Sequence, residues 1–271
     1  MSTLELIALP FFQRALIVGI VLGALMAVLG VFVVLRKISF FADAIGHSAL
    51  AGIAAGVLLG INPFIGGLVV AIIVALGITG IRRVATISLD TLLAVFFSAF
   101  VSLGVLLITF SPGYQADLIT FLFGNILTVT WIDVVLAITM AILSAGILLW
   151  VGKGFVAIAL DPNLAKAEGV PVARLELLLL VLLATTIALA IKLVGVLLVT
   201  ALLVIPAASA QNVARSLVGM FVWALALSLL SVGLGMVASA ALATPSGPSI
   251  VLVSSAFFLV SLFLRPSQKV L

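Results

Sequence analysis

The chain has 271 residues, of which 66% are hydrophobic and only 7% are charged, and its formal net charge is +4. A soluble domain carries about 25% charged residues, so this composition excludes a soluble catalytic domain and predicts an integral membrane protein. The absence of cysteine excludes disulfide frameworks, thiolate metal sites and cysteine nucleophiles.

Apolar stretches of membrane-spanning length follow one another along the chain. The first ten residues lack the basic region and cleavage site of a signal peptide, so we expect the first span to be retained. The spans cover 13–35, 39–60, 63–81, 89–110, 130–151, 175–191, 194–214, 217–242 and 249–264. We predict an all-α, polytopic helical bundle with eight or nine transmembrane helices. Two points stay open: the short segment 119–127 can re-enter without crossing, and the spans around Lys192 can form one bent helix.

The basic residues predict how the spans are oriented. With nine spans and the amino terminus outside, only Arg14 and Lys192 fall on the outer side. All the other basic residues fall on the inner side: Arg36, Lys37, Arg82, Arg83, Lys153, Lys166, Arg174, Arg215, Arg265 and Lys269. Because cytoplasmic loops are enriched in basic residues, we expect a multi-pass protein of the cytoplasmic (inner) membrane with a cytoplasmic carboxyl terminus. Scattered charge of this kind reports orientation, and we expect no nucleic-acid partner.

The segment 41–50 (FADAIGHSAL) contains the only histidine of the chain, His47, four residues after Asp43. Residues four apart share one helix face, about 6 Å apart along the axis. Carboxylate and imidazole groups bind divalent transition metals, and ionisable residues inside an apolar helix mark transport pathways by default. We therefore predict a metal site at Asp43 and His47. Two ligands bind weakly, but a two-fold dimer would supply four and still release the ion.

The same two residues also have structural interpretations. Asp43 can cap the start of the second span, and a lone histidine often donates a hydrogen bond to a neighbouring backbone carbonyl. The depth of the pair within the membrane is open. Small residues on this span, among them Gly52 and Gly56, predict close approach of a neighbouring helix.

The most polar part of the chain is the loop between the fifth and sixth spans. Within it, 161–168 (DPNLAKAE) fits a short helix, since Asp161 can cap its start and Pro162 suits the first helical position. Gly169 and Pro171 end it. This helix is either a solvated connector or a rigid cytoplasmic surface on which a partner docks.

Four segments in order resemble the permease subunit of the zinc and manganese ATP-binding-cassette importers. They are 34–50 (VLRKISFFADAIGHSAL), 159–171 (ALDPNLAKAEGVP), 195–210 (GVLLVTALLVIPAASA) and 244–251 (TPSGPSIV). Each segment alone has modest specificity, but the four occur in the same order at family-like positions, and the resemblance covers nearly the whole chain. The resemblance implies one permease domain, 1–271, that forms a homodimeric pore and receives metal from an extracytoplasmic binding protein. It also implies a cytoplasmic ATP-binding subunit that supplies the energy.

By the same resemblance, the helix at about 159–170 is the coupling helix that contacts the ATPase. Its implied contact positions are Asp161, Ala165, Glu168 and Gly169. The chain has no GxxxxGK[ST] loop for ATP phosphates, so we expect no enzyme activity in this subunit. We expect no permanently bound cofactor, and zinc or manganese, with iron as a further candidate, as the transported substrate.

Two other functions compete with this interpretation. A secondary metal-ion transporter would share the apolar spans but usually carries several intramembrane carboxylates, of which this chain offers few. An intramembrane enzyme fits less well. A single histidine allows neither an HExxH metalloprotease helix nor a serine paired with a second histidine.

Overall fold

The structure, a computed structural model, describes residues 9–84, 87–110 and 129–264. It contains ten α-helices over these ranges. In chain order they are α1 (Pro10–Leu35), α2 (Phe41–Leu58), α3 (Pro63–Val84), α4 (Leu89–Thr109), α5 (Trp131–Leu160), α6 (Pro162–Ala167), α7 (Val172–Val194), α8 (Val196–Val213), α9 (Leu217–Leu242) and α10 (Ser246–Phe263).

Nine of the helices in the described ranges, all except α6, are long and apolar enough to cross a membrane. This confirms the predicted all-α, polytopic fold class and gives nine spans there rather than eight. The segment 119–127 lies outside the described residues. α7 and α8 are separate helices, because Gly195 between them has a φ of +84°, which residues with a side chain rarely adopt.

Lys192 lies in the last turn of α7 with its side chain exposed. Its ammonium group stands 5.2 Å from the centre of the Phe64 ring, at the start of α3. A cation over an aromatic face is attracted to the ring's negative surface. Lys192 is therefore held at a helix end and is not buried inside a bent span.

The described residues form two compact units. The second unit contains the described parts of Leu35–Leu122 and Ile147–Lys192. Within it, α2 packs against α3 and α4. Gly52 and Gly66 pack so closely that a Cβ on either would overlap the carbonyl oxygen of the other. The predicted small-residue face of α2 is thus confirmed at Gly52, and it brings two backbones into contact.

The first unit contains the described parts of Met1–Val34, Phe123–Gly146 and Leu193–Leu271. In it, α8, α9 and α10 pack against one another. The Ser228 hydroxyl of α9 donates a hydrogen bond to the Gly23 carbonyl of α1 at 2.8 Å. The Asn212 amide nitrogen of α8 lies 3.0 Å from the Ser261 hydroxyl of α10. Neutral hydrogen bonds of this kind join helices without placing a charge in the bilayer.

Candidate functional site

Asp43 and His47 lie in the first two turns of α2. The helix begins at Phe41, one residue after Phe40, whose side chain makes no capping hydrogen bond. Asp43 is therefore the third residue of an 18-residue helix. His47 follows about 6 Å further along the axis, so the pair lies near the end of the span that follows the α1–α2 connection.

The two predicted ligands share the open side of α2. All residues from Phe41 to Gly52 are buried except Asp43 and His47, which are half-buried. The carboxylate and the imidazole are close enough to interact electrostatically. The helical period thus brings the pair together on one accessible stripe, while the glycine and alanine faces pack against neighbouring helices.

An aromatic side chain from α4 completes this stripe. The Phe97 ring meets the His47 imidazole edge to face, with centroids 4.7 Å apart at an angle of 82°. The same ring lies 5.3 Å from the Phe40 ring. Phe97 therefore restricts the orientation of the imidazole from one side. The sequence analysis missed this residue because nothing local distinguishes it from the rest of the 17 phenylalanines in the chain.

The two structural interpretations of the pair are not realised in the part of the chain described. Over 9–84, 87–110 and 129–264, neither side chain takes part in a hydrogen bond, so Asp43 is no cap and His47 donates to no backbone carbonyl. The same ranges contain no group of three or more histidine, cysteine, aspartate or glutamate residues that could hold a metal ion. A metal site at Asp43 and His47 therefore stays a prediction, with these two residues as its candidate ligands.

The short helix α6 forms as its end signals predict. Asp161 is the N-cap, and its carboxylate accepts hydrogen bonds from the Asn163 amide at 2.8 Å and the Leu164 amide at 3.2 Å. Pro162 occupies the first turn, and Gly169 has a φ of +81°, the left-handed conformation that ends helices. The helix is rigidly bounded at both ends.

The four residues predicted to contact the ATPase do not share one face. Asp161, Glu168 and Gly169 are exposed, but Ala165 is only 2% exposed and packs against the chain itself. Leu164, which the sequence analysis did not single out, is 59% exposed in the middle of the helix. Leu164 is therefore accessible to a partner of α6, whereas the buried Ala165 anchors the helix to the rest of the chain.

Several helix ends meet at one end of the second unit. A shallow cavity there is lined by residues from the α1–α2 connection and from α3, α4 and α7. They are Arg36, Ile38, Arg82, Leu89, Glu176, Leu179 and Leu180. The start of α2, with Asp43 in its first turn, therefore lies at the same end as the start of α7, which follows α6 in the chain.

Residues 8–265 match the ABC 3 transport family. The chain belongs to this family. It is 38% identical over 251 residues to the high-affinity zinc uptake system membrane protein ZnuB of Haemophilus influenzae, covering 93% of this chain and 96% of the relative. It is 37% identical over 261 residues to the manganese import system permease protein ScaB of Streptococcus gordonii, covering 96% and 94% of the two chains.

A solved structure agrees with this assignment. PsaBC from Streptococcus pneumoniae in complex with Fab matches with a TM-score of 0.86 and 34% identity, covering 98% of this chain and 96% of that chain. Membership of the ABC 3 transport family confirms the resemblance seen in the four sequence segments. The secondary-transporter alternative gains no support from these matches.

Proposed function

We propose that this chain is the membrane-spanning permease subunit of an ATP-binding-cassette importer that moves a divalent metal ion into the cytoplasm. Family membership supports the transport class, and the relatives named for zinc uptake and manganese import support zinc or manganese as the substrate. Iron(II) stays a third candidate, since carboxylate and imidazole ligands suit all three ions. The metal is cargo, and no permanent cofactor is needed.

The observation that carries the proposal is the stripe of Asp43 and His47 on α2. Its two ligating groups are accessible in a helix that is otherwise buried from Phe41 to Gly52. A second copy of the chain, related by a two-fold axis, would bring the ligands to four, a number that suits zinc. The proposed unit is thus a homodimer, with residues 1–271 of each copy acting as one permease domain.

The energy source in this proposal is a separate cytoplasmic ATP-binding subunit that docks on α6. The exposed residues Asp161, Leu164, Glu168 and Gly169 form the proposed docking surface. An extracytoplasmic binding protein delivers the metal to the opposite side. The α6 end, and with it the carboxyl terminus, is cytoplasmic in this arrangement, as the distribution of basic residues favours.

The decisive experiment is metal uptake into proteoliposomes that contain the chain, its ATPase partner and a loaded binding protein. We expect His47→Ala and Asp43→Asn to abolish uptake of zinc or manganese while membrane abundance stays near wild type. Asp90→Asn is the matched control, because Asp90 is an exposed carboxylate in the first turn of α4. Wild-type rates in both site variants would refute the metal site, and loss of the protein itself would favour a structural role.

Docking on α6 is tested separately by copurification of the ATPase. Leu164→Asp and Glu168→Arg should detach it, because the first places a charge on an exposed apolar position and the second reverses an exposed charge. Lys153→Glu is the control, since it reverses an exposed charge on α5 outside α6. Full copurification of both α6 variants would remove the docking role.

A further inference from the structure

Arg36 connects three parts of the second unit. It lies in the five-residue connection between α1 and α2. Its Nη1 donates a hydrogen bond to the Ile158 carbonyl of α5 at 2.7 Å, and its Nη2 forms an ion pair with the Glu176 carboxylate of α7. The two side chains of the pair are 12% and 24% exposed. One guanidinium thus holds two helices at once through its planar fork of donors.

The hydrogen bond to the Ile158 carbonyl follows from Pro162 at the start of α6. In a continuing helix the Ile158 carbonyl would accept a hydrogen bond from the amide of residue 162, but Pro162 has no N–H. This carbonyl also belongs to the last turn of α5, where four acceptors lack partners within the helix. Arg36 supplies the missing donor, and its positive charge suits the negative end of the helix dipole.

The ion pair with Glu176 connects Arg36 to α7, the helix that follows α6. Glu176 is the fifth residue of α7, which begins at Val172 after the Gly169–Pro171 turn. Arg36 therefore grips the helix that precedes α6 and the helix that follows it. A displacement of α6 that moves either helix must move Arg36 or break one of its two bonds.

The chain between Arg36 and the proposed metal ligands forms a tight, partly buried turn. Lys37 adopts the left-handed conformation with a φ of +56°, and Ile38 is 4% exposed. The Phe41 amide donates to the Ile38 carbonyl at 2.9 Å, and the Phe41 side chain is fully buried. The connection is a tight turn against the core, and Asp43 follows two residues after Phe41.

We propose that Arg36 is a positioning residue that couples movement of α6 to α2, so that ATPase-driven displacement reaches Asp43 and His47. The proposal rests on the function proposed above. It assigns to Arg36 no contact with the metal or with the ATPase. We call the triple contact of Arg36, Ile158 and Glu176 the Arg36 clamp.

Arg36 is partly buried and near another positive charge, and its two acceptors depend on it for a partner. Burial, and then the neighbouring positive charge of Arg82, lower the pKa of Arg36, although arginine stays protonated. Removal of Arg36 would leave the Glu176 carboxylate without its ion-pair partner and the Ile158 carbonyl without its donor. Loss of one partner from a partly buried ion pair disturbs more than loss of both.

The test measures ATP hydrolysis by the reconstituted complex with its binding protein, with and without zinc or manganese. In Arg36→Ala we expect the ratio of metal-stimulated to basal hydrolysis to fall about fivefold or more, the usual lower range of coupling between sites. Basal hydrolysis and copurification of the ATPase should stay near wild type. Arg174→Ala, the matched control at the exposed start of α7, should keep the full ratio.

Two further variants keep the test decisive if Arg36→Ala assembles poorly. Glu176→Gln preserves shape but removes the charge, so it should also lower the ratio. The double reversal Arg36→Glu with Glu176→Arg should recover part of what each reversal loses alone. An unchanged ratio in Glu176→Gln, or a double variant no better than the single ones, would overturn the clamp. A wild-type complex without metal stimulation would instead overturn the proposed function, and the clamp with it.

Discussion

The polar contacts that join helices within the first unit differ from those within the second. In the first unit the polar contacts between helices described above are neutral, as between Ser228 and the Gly23 carbonyl or between Asn212 and Ser261. The second unit contains the Arg36–Glu176 ion pair, the Asp43 and His47 stripe, and α6. Charged groups are costly in an apolar setting, so the half-buried Asp43 and His47 and the Arg36–Glu176 ion pair make the second unit the place to test for a transport role. The hydrogen bonds described between helices of the first unit come instead from serine and asparagine side chains.

The largest expected effect breaks the packing beneath the charged stripe. A Cβ on Gly52 would overlap the Gly66 carbonyl oxygen and lie 2.8 Å from the Val70 Cβ, so Gly52→Ala forces α2 away from α3. We expect a loss of about 3 kcal/mol in unfolding free energy, the upper range for overpacking. Thermal unfolding in detergent measures it. Gly146→Ala is the control, because no atom outside its own helix lies within 4 Å of that Cβ, and an equal loss there would contradict the packing argument.

The next effect concerns the orientation of the imidazole. Phe97→Ala removes the ring that meets His47 at 4.7 Å and frees the imidazole to rotate. We expect about tenfold weaker apparent metal affinity in uptake, equivalent to about 1.4 kcal/mol, with the maximal rate little changed. Phe96→Ala serves as the comparison, because Phe96 stacks on Phe100. Equal affinities for both variants would show that Phe97 does not position the ligand.

A smaller effect is expected at the cap of α6. Asp161→Ala removes the acceptor for the Asn163 and Leu164 amides and should destabilise this helix by about 1 kcal/mol. Titration of the ATPase against the purified chain should show an affinity reduced roughly fivefold. Asp161→Asn keeps the capping oxygen and should retain most of the binding. If both variants bind equally weakly, the charge of Asp161 matters more than the cap.

The smallest effect belongs to the first unit. Ser228→Ala removes the hydrogen bond to the Gly23 carbonyl and should cost about 0.6 kcal/mol, the average for such bonds in membranes. Uptake should be unchanged. A strong loss of uptake without unfolding would show that the first unit contributes more than a scaffold.

Local rules in the sequence predicted a large part of this structure. The lengths of the apolar stretches predicted eight or nine spans, and nine are seen in the described ranges, because a bilayer sets the length of a helix that crosses it. The α6 boundaries followed from Asp161, Pro162 and Gly169, since caps act within a few residues. The shared face of Asp43 and His47 followed from the helical period. The roles of the four coupling-helix positions stay predictions, and the burial of Ala165 favours Leu164 in its place.

What the sequence determined by itself is the membrane class, the order of the spans and the presence of one Asp–His pair on a helix face, because composition and periodicity are local properties. Only the tertiary structure decided which side of α2 is open, that Phe97 meets His47, and that Arg36 reaches Ile158 and Glu176. Those partners of Arg36 are 122 and 140 residues away along the chain. Contacts at such separation depend on how helices pack, and no local spacing rule encodes which helices become neighbours.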